Sequence, residues 1–388
     1  MDNKKDWIWQ EQNIISTPKQ LCSYFKNISK AYFEGLFNKN LKVRITPYIL
    51  SQIPPDISKK DLEKNPWFLQ FFPLGEIYRG KSDSYNLGEN WEKKEEFPTS
   101  NLHHKYTNRA LVRLSECLGH CNFCFEFMRI LEKDKPSCKK FLWEDWQNSL
   151  KYIQNHPEIE EIVISGGEPL LLSDEKLDSI LFDLRSLKDK IGQPKIKFIR
   201  IHTRALTHNP FRITDSLVRI LKKHKINAII FDVAHASEIT PEFVEAVKKI
   251  RKIMSEDAPF LGAHTPLLKN LNADNIILWD LFSKLYENNI KPHYLIHMMP
   301  FCPYGDKQRT SVKKGVEIMR KLKRVKSNPA LPEYILAHDD GKVTVPLELN
   351  GTPEFVYCRN EKGDKIIKFL NWKNKWVEYL DGEDYYVN

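Results

Sequence analysis

The chain has 388 residues, of which 41% are hydrophobic and 29% charged, and it carries a formal net charge of +9. It is long enough to bury one large core or two modest ones, and no run approaches the roughly 20 apolar residues of a membrane-spanning helix. The basic residues are spread along the chain rather than gathered in one patch, so the composition does not favour a nucleic-acid partner.

The N-terminal residues, MDNKKDWIWQ, lack the apolar stretch of a secretory signal. We therefore expect a cytoplasmic protein, in a compartment reducing enough to keep its seven cysteines as thiols. Residues 1–100 are predicted to form a helical and irregular region, residues 101–325 a domain of alternating strands and helices, and residues 326–388 a β-containing tail. The tail is rich in Trp and Tyr and suited to cover the open end of that domain or to mediate homo-oligomer contacts.

Short apolar segments alternate with amphipathic helical patterns in the middle of the chain. Helix start signals precede two of these patterns, at Ser173 and at Thr240-Pro241. The predicted strands are residues 110–115, 161–167, 197–204, 228–235, 261–268 and 291–298. Six successive βα units predict an α/β fold with a parallel sheet and helices outside it. Because eight units close a TIM barrel, six predict a partial (β/α)6 barrel of the TIM type with a wide mouth.

Three cysteines follow the first predicted strand, with three residues and then two between them: Cys117, Cys121 and Cys124. Three thiolates at this spacing can hold three irons of a cubane [4Fe-4S] cluster and leave the fourth iron open for a small-molecule ligand. Zinc is the alternative, with a fourth ligand drawn from His103, His104 and His120. Zinc sites usually combine two short knuckles, and the sequence has no second one, so we favour the cluster.

The carboxyl ends of the later predicted strands also carry polar groups, as expected where a parallel barrel builds its site. These groups are Gly166-Gly167-Glu168, His202-Thr203-Arg204, His235 and His297, while His264 falls inside its predicted strand. The glycines either make a tight turn or let the backbone approach a ligand, and Glu168 is placed to receive a cationic amine. For His235, His264 and His297, each taken singly, we favour a structural hydrogen bond, although polar groups at six successive strands are hard to ascribe to chance.

From near its start to about residue 346, the chain resembles the lysine 2,3-aminomutase family of radical S-adenosylmethionine enzymes. The similarity rests on the cysteine spacing and on long segments. These are DWIWQ at 6–10, ITPYILSQI at 45–53, HKYTNR at 104–109, ISGGEPLLLSDEKL at 164–177, RIHTR at 200–204, FRIT at 211–214 and RTSVKKGVEI at 309–318.

The resemblance implies that the three cysteines bind the cluster and that S-adenosylmethionine chelates the open iron. An external reductant of the flavodoxin or ferredoxin type then supplies one electron. This electron cleaves S-adenosylmethionine to a 5'-deoxyadenosyl radical, which abstracts hydrogen from a small-molecule substrate. The residues that the resemblance places at S-adenosylmethionine are Phe123, Ser165, Gly166, Gly167, Glu168, His202, Thr203, His235 and His264.

The family also uses pyridoxal phosphate, which forms an imine with the substrate amine so that the nitrogen can migrate. The lysine that binds the resting cofactor matches Lys342, while Lys105 and Arg109 match basic residues that grip its phosphate. On its own chemistry, Lys342 has another interpretation. It follows Asp340-Gly341, a strong hairpin-turn dipeptide, and a lysine in that place is usually a solvated surface residue.

The substrate-binding positions differ from those of the lysine-acting members. Glu126 stands where an arginine pairs with the substrate carboxylate, and Pro300 and approximately Ala337 match two aspartates that clasp the distal ammonium. Because Glu126 would repel a carboxylate, we expect it to meet a cationic or hydroxyl-bearing group, while Arg129 takes an acidic one. Candidates to replace the aspartates are His338, Asp339 and Asp340.

These positions lead to one principal hypothesis and two alternatives. We expect an isomerase that performs a pyridoxal phosphate-dependent 1,2-amino shift on an amino substrate other than free lysine, with Lys342 and Glu126 as its catalytic candidates. The first alternative is a radical rearrangement, epimerisation or other hydrogen abstraction on a specialised metabolite, without pyridoxal phosphate. The second is a non-catalytic iron-sulfur or zinc protein that senses redox state or binds nucleic acid.

Overall fold

A nine-stranded sheet organises the protein, and its strands lie side by side in chain order. They are β1 (Leu102–Tyr106), β2 (Arg109–Leu114), β3 (Glu161–Gly166), β4 (Phe198–Thr203), β5 (Ala228–Asp232), β6 (Phe260–Leu267), β7 (Lys291–His297), β8 (Glu333–His338) and β9 (Gly341–Thr344). The computed structural model describes residues 3–37, 43–75, 93–114, 116–126, 141–300, 302–338, 340–347, 355–371, 373 and 375–382.

Strands β2 to β8 are parallel neighbours, whereas β1 and β9 run antiparallel at the two edges. The sheet forms an incomplete barrel, because its two edge strands do not pair with each other within the described ranges. The predicted partial barrel of the TIM type is therefore confirmed. The six predicted strands correspond to β2 to β7.

The parallel sheet has a seventh strand, which the sequence analysis had placed in the C-terminal tail. The predicted hairpin around Gly341 does form, but its first strand, β8, also pairs in parallel with β7 through Tyr294 and Glu333. Consequently the sheet continues past residue 325. The turn dipeptide is a local signal, whereas the pairing of β8 with β7 depends on a contact between distant segments.

Short helices form the N-terminal region. They are α1 (Trp7–Gln12), α2 (Pro18–Tyr24), α3 (Lys30–Phe37), α4 (Pro47–Ser51), α5 (Lys59–Leu62) and α6 (Pro66–Phe71). Several start on a capping side chain followed by proline: Thr17 caps α2, Thr46 caps α4 and Asn65 caps α6. Their apolar faces form a core of their own, which also takes in Cys121.

The remaining helices connect the strands of the barrel. They are α7 (Trp146–Asn155), α8 (Asp174–Ser186), α9 (Ala205–His208), α10 (Asp215–Lys223), α11 (Pro241–Met254), α12 (Asn275–Glu287), α13 (Gly305–Gln308) and α14 (Val312–Val325). The predicted start signals are confirmed, since Ser173 caps α8 and Thr240 caps α11 ahead of a proline. No helix in the described ranges combines the length and apolar character that a bilayer crossing requires.

A separate three-stranded sheet closes the chain and packs on the barrel. Its strands are β10 (Phe355–Arg359), β11 (Lys365–Leu370) and β12 (Trp376–Leu380). Ile367 and Phe369 belong to the same buried cluster as the barrel strands, and the Tyr379 hydroxyl donates to the Met298 carbonyl just after β7. The tail therefore lies against the rim where the strands end.

The cap of α11 generates a stability prediction. The Thr240 hydroxyl accepts from the Phe243 amide at 3.1 Å and hydrogen-bonds to the Tyr48 hydroxyl at 2.6 Å, which joins α4 to α11. Thr240→Ala should lower the free energy of unfolding by about 1–2 kcal/mol, measured by urea titration, because a cap and a buried partner are lost together. Thr240→Ser keeps the hydroxyl and is the control. Equal stability of the alanine and wild-type proteins would contradict this interpretation.

Candidate active site

The segment that carries the three cysteines is anchored to the N-terminal helices. We call residues 117–124 the cysteine loop; it follows β2. The Asn122 amide donates to the Gln70 carbonyl at 2.7 Å, and the Asn122 side chain donates to the carbonyls of Leu69 and Phe72. The His120 amide donates to the Arg44 carbonyl at 3.1 Å. These bonds fix the backbone of the loop against α6.

The three thiols lie within electrostatic reach of one another. Burial raises the pKa of Cys117 to about 12, and burial also raises the pKa of Cys121 and, with the charges of its two neighbours, that of Cys124. Three such thiolates are stable together only beside a cation that displaces their protons. Within the described ranges, no three His, Cys, Asp or Glu side chains lie close enough together to hold a single metal ion such as zinc. A cubane makes a different demand, since each thiolate binds its own iron.

The two glycines after β3 allow a close approach between two loops. Gly166 has a φ of +98°, and a Cβ there would lie 2.4 Å from the Leu114 carbonyl oxygen; a Cβ at Gly167 would lie 2.0 Å from the Glu116 carbonyl oxygen. The Gly167 amide donates to Leu114 and the Glu168 amide donates to Glu116, both at 2.7 Å. The glycines thus seat this turn directly against the segment that leads into the cysteine loop.

Glu168 links two strand ends. Its carboxylate accepts from the Thr203 hydroxyl at 2.5 Å, from the Arg204 amide at 2.7 Å and from the Leu170 amide at 3.0 Å. Burial raises its pKa. Glu168 is therefore already engaged by donors of the protein, which the sequence analysis did not anticipate when it offered this carboxylate to a cationic amine.

A cavity of about 310 Å³ lies at the carboxyl ends of the strands. Seven of the residues predicted to act in catalysis or cofactor binding line it: Lys105, Arg109, Glu126, Ser165, His202, His264 and Lys342. The lining does not include Phe123, Gly166, Gly167, Glu168, Thr203 or His235. His235 instead caps a short 3-10 turn, Ala236–Glu238, where its Nδ1 accepts from the Ser237 amide at 3.1 Å.

Lys342 lies in the cavity wall rather than in solvent. It is half-buried, and its Nζ lies 4.0 Å from the centre of the Tyr294 ring. Burial, reinforced by the positive charges of Arg109 and Arg200, lowers its pKa to about 8. The interpretation of Lys342 as a solvated turn residue is therefore wrong, although the turn itself is present. A lysine in this state has a substantial fraction of neutral, nucleophilic amine near neutral pH.

Other cations surround Lys342. Arg109 and Arg200 both contact Glu161, at 3.9 Å and 3.0 Å, and Lys105 contacts Glu96 at 3.5 Å. The sequence analysis did not single out Arg200. Its position two residues before His202 on one strand was the available signal, because residues i and i+2 of a strand share a face.

Two neutral histidines contribute unpartnered nitrogens to the cavity. The rings of His202 and His264 meet edge to face with centres 5.1 Å apart, and neither Nε2 has a hydrogen-bond partner among the described residues. Burial lowers both pKa values well below the ordinary histidine value. Burial also raises the pKa of Asp232 to about 7; its Oδ1 lies 3.9 Å from His264 Nδ1. His297 is different, since its Nδ1 lies 2.8 Å from the Tyr334 hydroxyl.

Glu126 faces a positive partner. Its carboxylate lies 2.8 Å from the Arg113 guanidinium, and these two side chains are only 7% and 2% exposed. The guanidinium also stacks over the Phe97 ring at 4.6 Å. Arg113 therefore offsets the negative charge that the sequence analysis expected to repel a carboxylate. Of the other candidates for substrate contact, Arg129 and Asp339 lie outside the described residues.

The other two candidates to replace the family's aspartates, His338 and Asp340, have partners of their own. Asp340 forms an ion pair with Lys93. His338 lines the cavity, and its Nε2 lies 3.0 Å from the Glu378 carbonyl oxygen of β12. The C-terminal sheet thus reaches the wall of the cavity through a direct contact.

Comparison with known proteins decides the family. The family described as the Radical SAM superfamily matches residues 112–273. A protein of Aquifex aeolicus named "Putative L-lysine 2,3-aminomutase" is 32% identical, over 98% of this chain and 93% of that protein. The chain belongs to the lysine 2,3-aminomutase family of radical SAM enzymes. Two further relatives are L-lysine 2,3-aminomutase of Methanococcus maripaludis (29% identical; 99% and 83% covered) and glutamate 2,3-aminomutase of Clostridioides difficile (28%; 97% and 84%).

Membership in this family makes the protein an enzyme that uses a [4Fe-4S] cluster and S-adenosylmethionine. The described residues fit both groups. Three thiols on one loop, that of Cys121 buried and the other two half-buried, supply the soft donors that an iron-sulfur cluster takes. The unpartnered nitrogens of His202 and His264 supply polar contacts for a ligand in the adjoining cavity.

The lowered pKa of Lys342 predicts an unusual reactivity. Only the neutral amine reacts with an acylating reagent, so the labelling rate of Lys342 should rise with pH to a midpoint near 8. Arg200→Gln should move this midpoint upward, because a charge that disfavours the ammonium is removed. Peptide mass spectrometry after brief labelling measures the rates. Lys197, whose pKa Glu160 raises, is the internal control and should need a more alkaline solution. A Lys342 midpoint like that of an ordinary lysine would contradict the assignment.

Proposed function

We propose that this enzyme is a pyridoxal phosphate-dependent aminomutase that moves an amino group between adjacent carbons of an amino substrate other than free lysine. The observation that carries the proposal is the position of Lys342, a half-buried lysine with a lowered pKa in the wall of the cavity at the barrel mouth. The names of the relatives agree with this reaction type.

Lys342 has the chemistry that an aldehyde cofactor requires. Its amine is partly neutral near pH 8, and its Nζ is positioned 4.0 Å from the centre of the Tyr294 ring. The Tyr106 hydroxyl is hydrogen-bonded to the Lys342 backbone, which holds β9 against β1. These contacts fix both the backbone and the amine. When bound, pyridoxal phosphate supplies the conjugated system that stabilises an unpaired electron next to the migrating nitrogen.

The charge around Lys342 suits a phosphate. Lys105, Arg109 and Arg200 line the same cavity, and Arg guanidinium groups bind phosphate oxygens in pairs. Their acidic partners, Glu96 and Glu161, are not part of the lining. A phosphate would therefore meet the cations directly, while the carboxylates hold those cations in place from behind.

Other residues of the same cavity suit S-adenosylmethionine. Ser165 and His202, near the carboxyl ends of β3 and β4, and His264, within β6, line the cavity. Cys117, Cys121 and Cys124 would hold the cluster, which would supply the electron for cleavage of S-adenosylmethionine with an external flavodoxin- or ferredoxin-type protein as its reductant. The neutral histidines can donate or accept hydrogen bonds without adding charge beside a sulfonium.

Two carboxylates of the described residues line the cavity, and neither is a free receptor for a distal ammonium: Glu126 is paired with Arg113, and Asp232, whose pKa is raised to about 7 by burial, lies 3.9 Å from His264. Ala337 lines it where lysine-acting members carry an aspartate, and Asp340 is paired with Lys93. The charge of Glu126 is offset by Arg113. A substrate without a second amine is the one that these residues accommodate at the lowest desolvation cost.

Covalent capture of the cofactor tests the role of Lys342. Wild-type protein incubated with pyridoxal phosphate and reduced with borohydride should carry the cofactor on Lys342, because this amine is the neutral one facing the phosphate-binding cations. Peptide mapping by mass spectrometry identifies the site. Lys342→Ala should lose the adduct, and Lys197→Ala, at an exposed lysine, should retain it. A wild-type protein that shows no adduct, or shows it on another lysine, removes the basis for this reaction.

Turnover with free lysine tests the substrate assignment. Reduced, reconstituted enzyme with S-adenosylmethionine, pyridoxal phosphate and L-lysine should form no β-lysine above background, since Glu126 is paired with Arg113 and burial disfavours the charged form of Asp232. Chromatography of derivatised amino acids measures the product. Cleavage of S-adenosylmethionine to 5'-deoxyadenosine in the same sample shows that the enzyme is active. Catalytic production of β-lysine would mean that the substrate is lysine after all.

A further inference from the structure

A buried arginine contacts one of the proposed cluster ligands. Arg204 follows β4 directly and is 8% exposed. Its Nη1 donates to the Cys121 Sγ at 2.7 Å. Arginine remains protonated in proteins, so this contact places a full positive charge and an N–H donor on the sulfur.

The protein holds the guanidinium in one orientation. Nη2 donates to the Gln70 side-chain oxygen at 2.7 Å and to the Glu238 carboxylate at 3.0 Å, and Nε donates to the Asp232 carbonyl at 3.2 Å. These two nitrogens therefore have three acceptors, drawn from the N-terminal helices, from β5 and from the turn after it. Such a set defines where the remaining donor, Nη1, is aimed.

Aromatic rings cover the faces of the same group. Its central carbon lies 5.2 Å from the centre of the Phe71 ring and 4.9 Å from that of Phe123, which belongs to the cysteine loop. Rings in these places attract the cation and exclude water from it. With water excluded, the charge is screened less and acts more strongly on the sulfur.

The carboxylate of Glu238, which balances the charge of Arg204, has hydrogen-bond donors of its own. Glu238 is fully buried, and its Oε1 accepts from the amides of Ala234 and His235, while its Oε2 also accepts from the Thr207 hydroxyl at 2.7 Å. These donors stabilise the carboxylate independently of Arg204. A second nitrogen, His208 Nε2, lies 3.7 Å from the same Cys121 sulfur.

We propose that Arg204 sets the reduction potential of the cluster by donating to the Cys121 thiolate. Reduction adds a negative charge that is shared between the irons and the sulfurs. A nearby cation and an N–H donor stabilise this reduced form more than the oxidised one, and both raise the potential. Arg204 would thus act on the cluster through the Cys121 sulfur rather than by touching the substrate. This proposal goes beyond the aminomutase reaction proposed above and rests only on Cys121 being a cluster ligand.

An EPR-monitored redox titration of the full chain, with its cluster reconstituted anaerobically, tests the proposal. Arg204→Met should shift the midpoint to a more negative potential. A tenfold lower ratio of reduced to oxidised cluster at a fixed potential corresponds to about 59 mV for a one-electron couple. Arg204→Lys keeps the charge without the fixed fork and should shift it less. Unchanged midpoints in both variants with full clusters would overturn the proposal.

Two further variants keep the test decisive. Glu238→Gln removes the counter-charge and leaves the guanidinium in place, so the midpoint should move to a less negative potential; no shift there counts against the proposal even if the Arg204 variants lose the cluster. Arg212→Lys is the control for Arg204→Lys, because Arg212 is also buried but donates to the Leu170 and Leu172 carbonyls and pairs with Asp174 instead of contacting a cysteine. Its midpoint should equal that of the wild type.

The ligand assignment is checked separately. Cys121→Ser should lower the bound iron and sulfide, whereas Cys358→Ser, in β10 of the C-terminal sheet, should leave them unchanged. If Cys121→Ser retains an unaltered cluster, the assignment of this ligand fails, and the proposal for Arg204 fails with it. Neither result depends on pyridoxal phosphate or on the substrate, so the aminomutase proposal is tested independently.

Discussion

The buried guanidinium of Arg204 connects three parts of the protein that build the site. Arg204 binds Cys121 of the cysteine loop, Gln70 of the N-terminal helices and Glu238 of the turn after β5. Removing charges from water is costly, and the cost is offset here because every nitrogen of the group has an acceptor. The N-terminal helices therefore act as one wall of the site, since they hold both the guanidinium and the cysteine loop in place.

The incomplete closure of the barrel explains where the second half of the site lies. The edge strands β1 and β9 do not form a ladder with each other in the described ranges, yet the Tyr106 hydroxyl reaches the Lys342 backbone across the gap between them. Lys342 on β9 thus lines the same cavity as Lys105 on β1 and Arg109 on β2. Burial in this cavity wall lowers the pKa of Lys342, and the charges of Arg109 and Arg200 lower it further.

Much of this architecture follows from local sequence signals. The strands β2 to β7, the caps at Ser173 and Thr240 and the cysteine loop were all predicted from spacing and periodicity. Three features were not, because each depends on residues far apart in the chain: the pairing of β8 with β7, the position of Lys342 in a cavity wall, and the contact of Arg204 with Cys121. The pairing of Arg113 with Glu126 could have been predicted from the sequence, since these two opposite charges flank the cysteine loop.

The central claim is that three cysteines hold a cubane whose fourth iron binds S-adenosylmethionine. Mössbauer spectroscopy of oxygen-free protein reconstituted with ⁵⁷Fe, recorded with and without S-adenosylmethionine, tests it most directly. The account predicts a [4Fe-4S] spectrum in which one iron of the four changes its isomer shift and quadrupole splitting on addition of the ligand. A spectrum without a cubane, or a cubane in which no iron responds to S-adenosylmethionine, would contradict it.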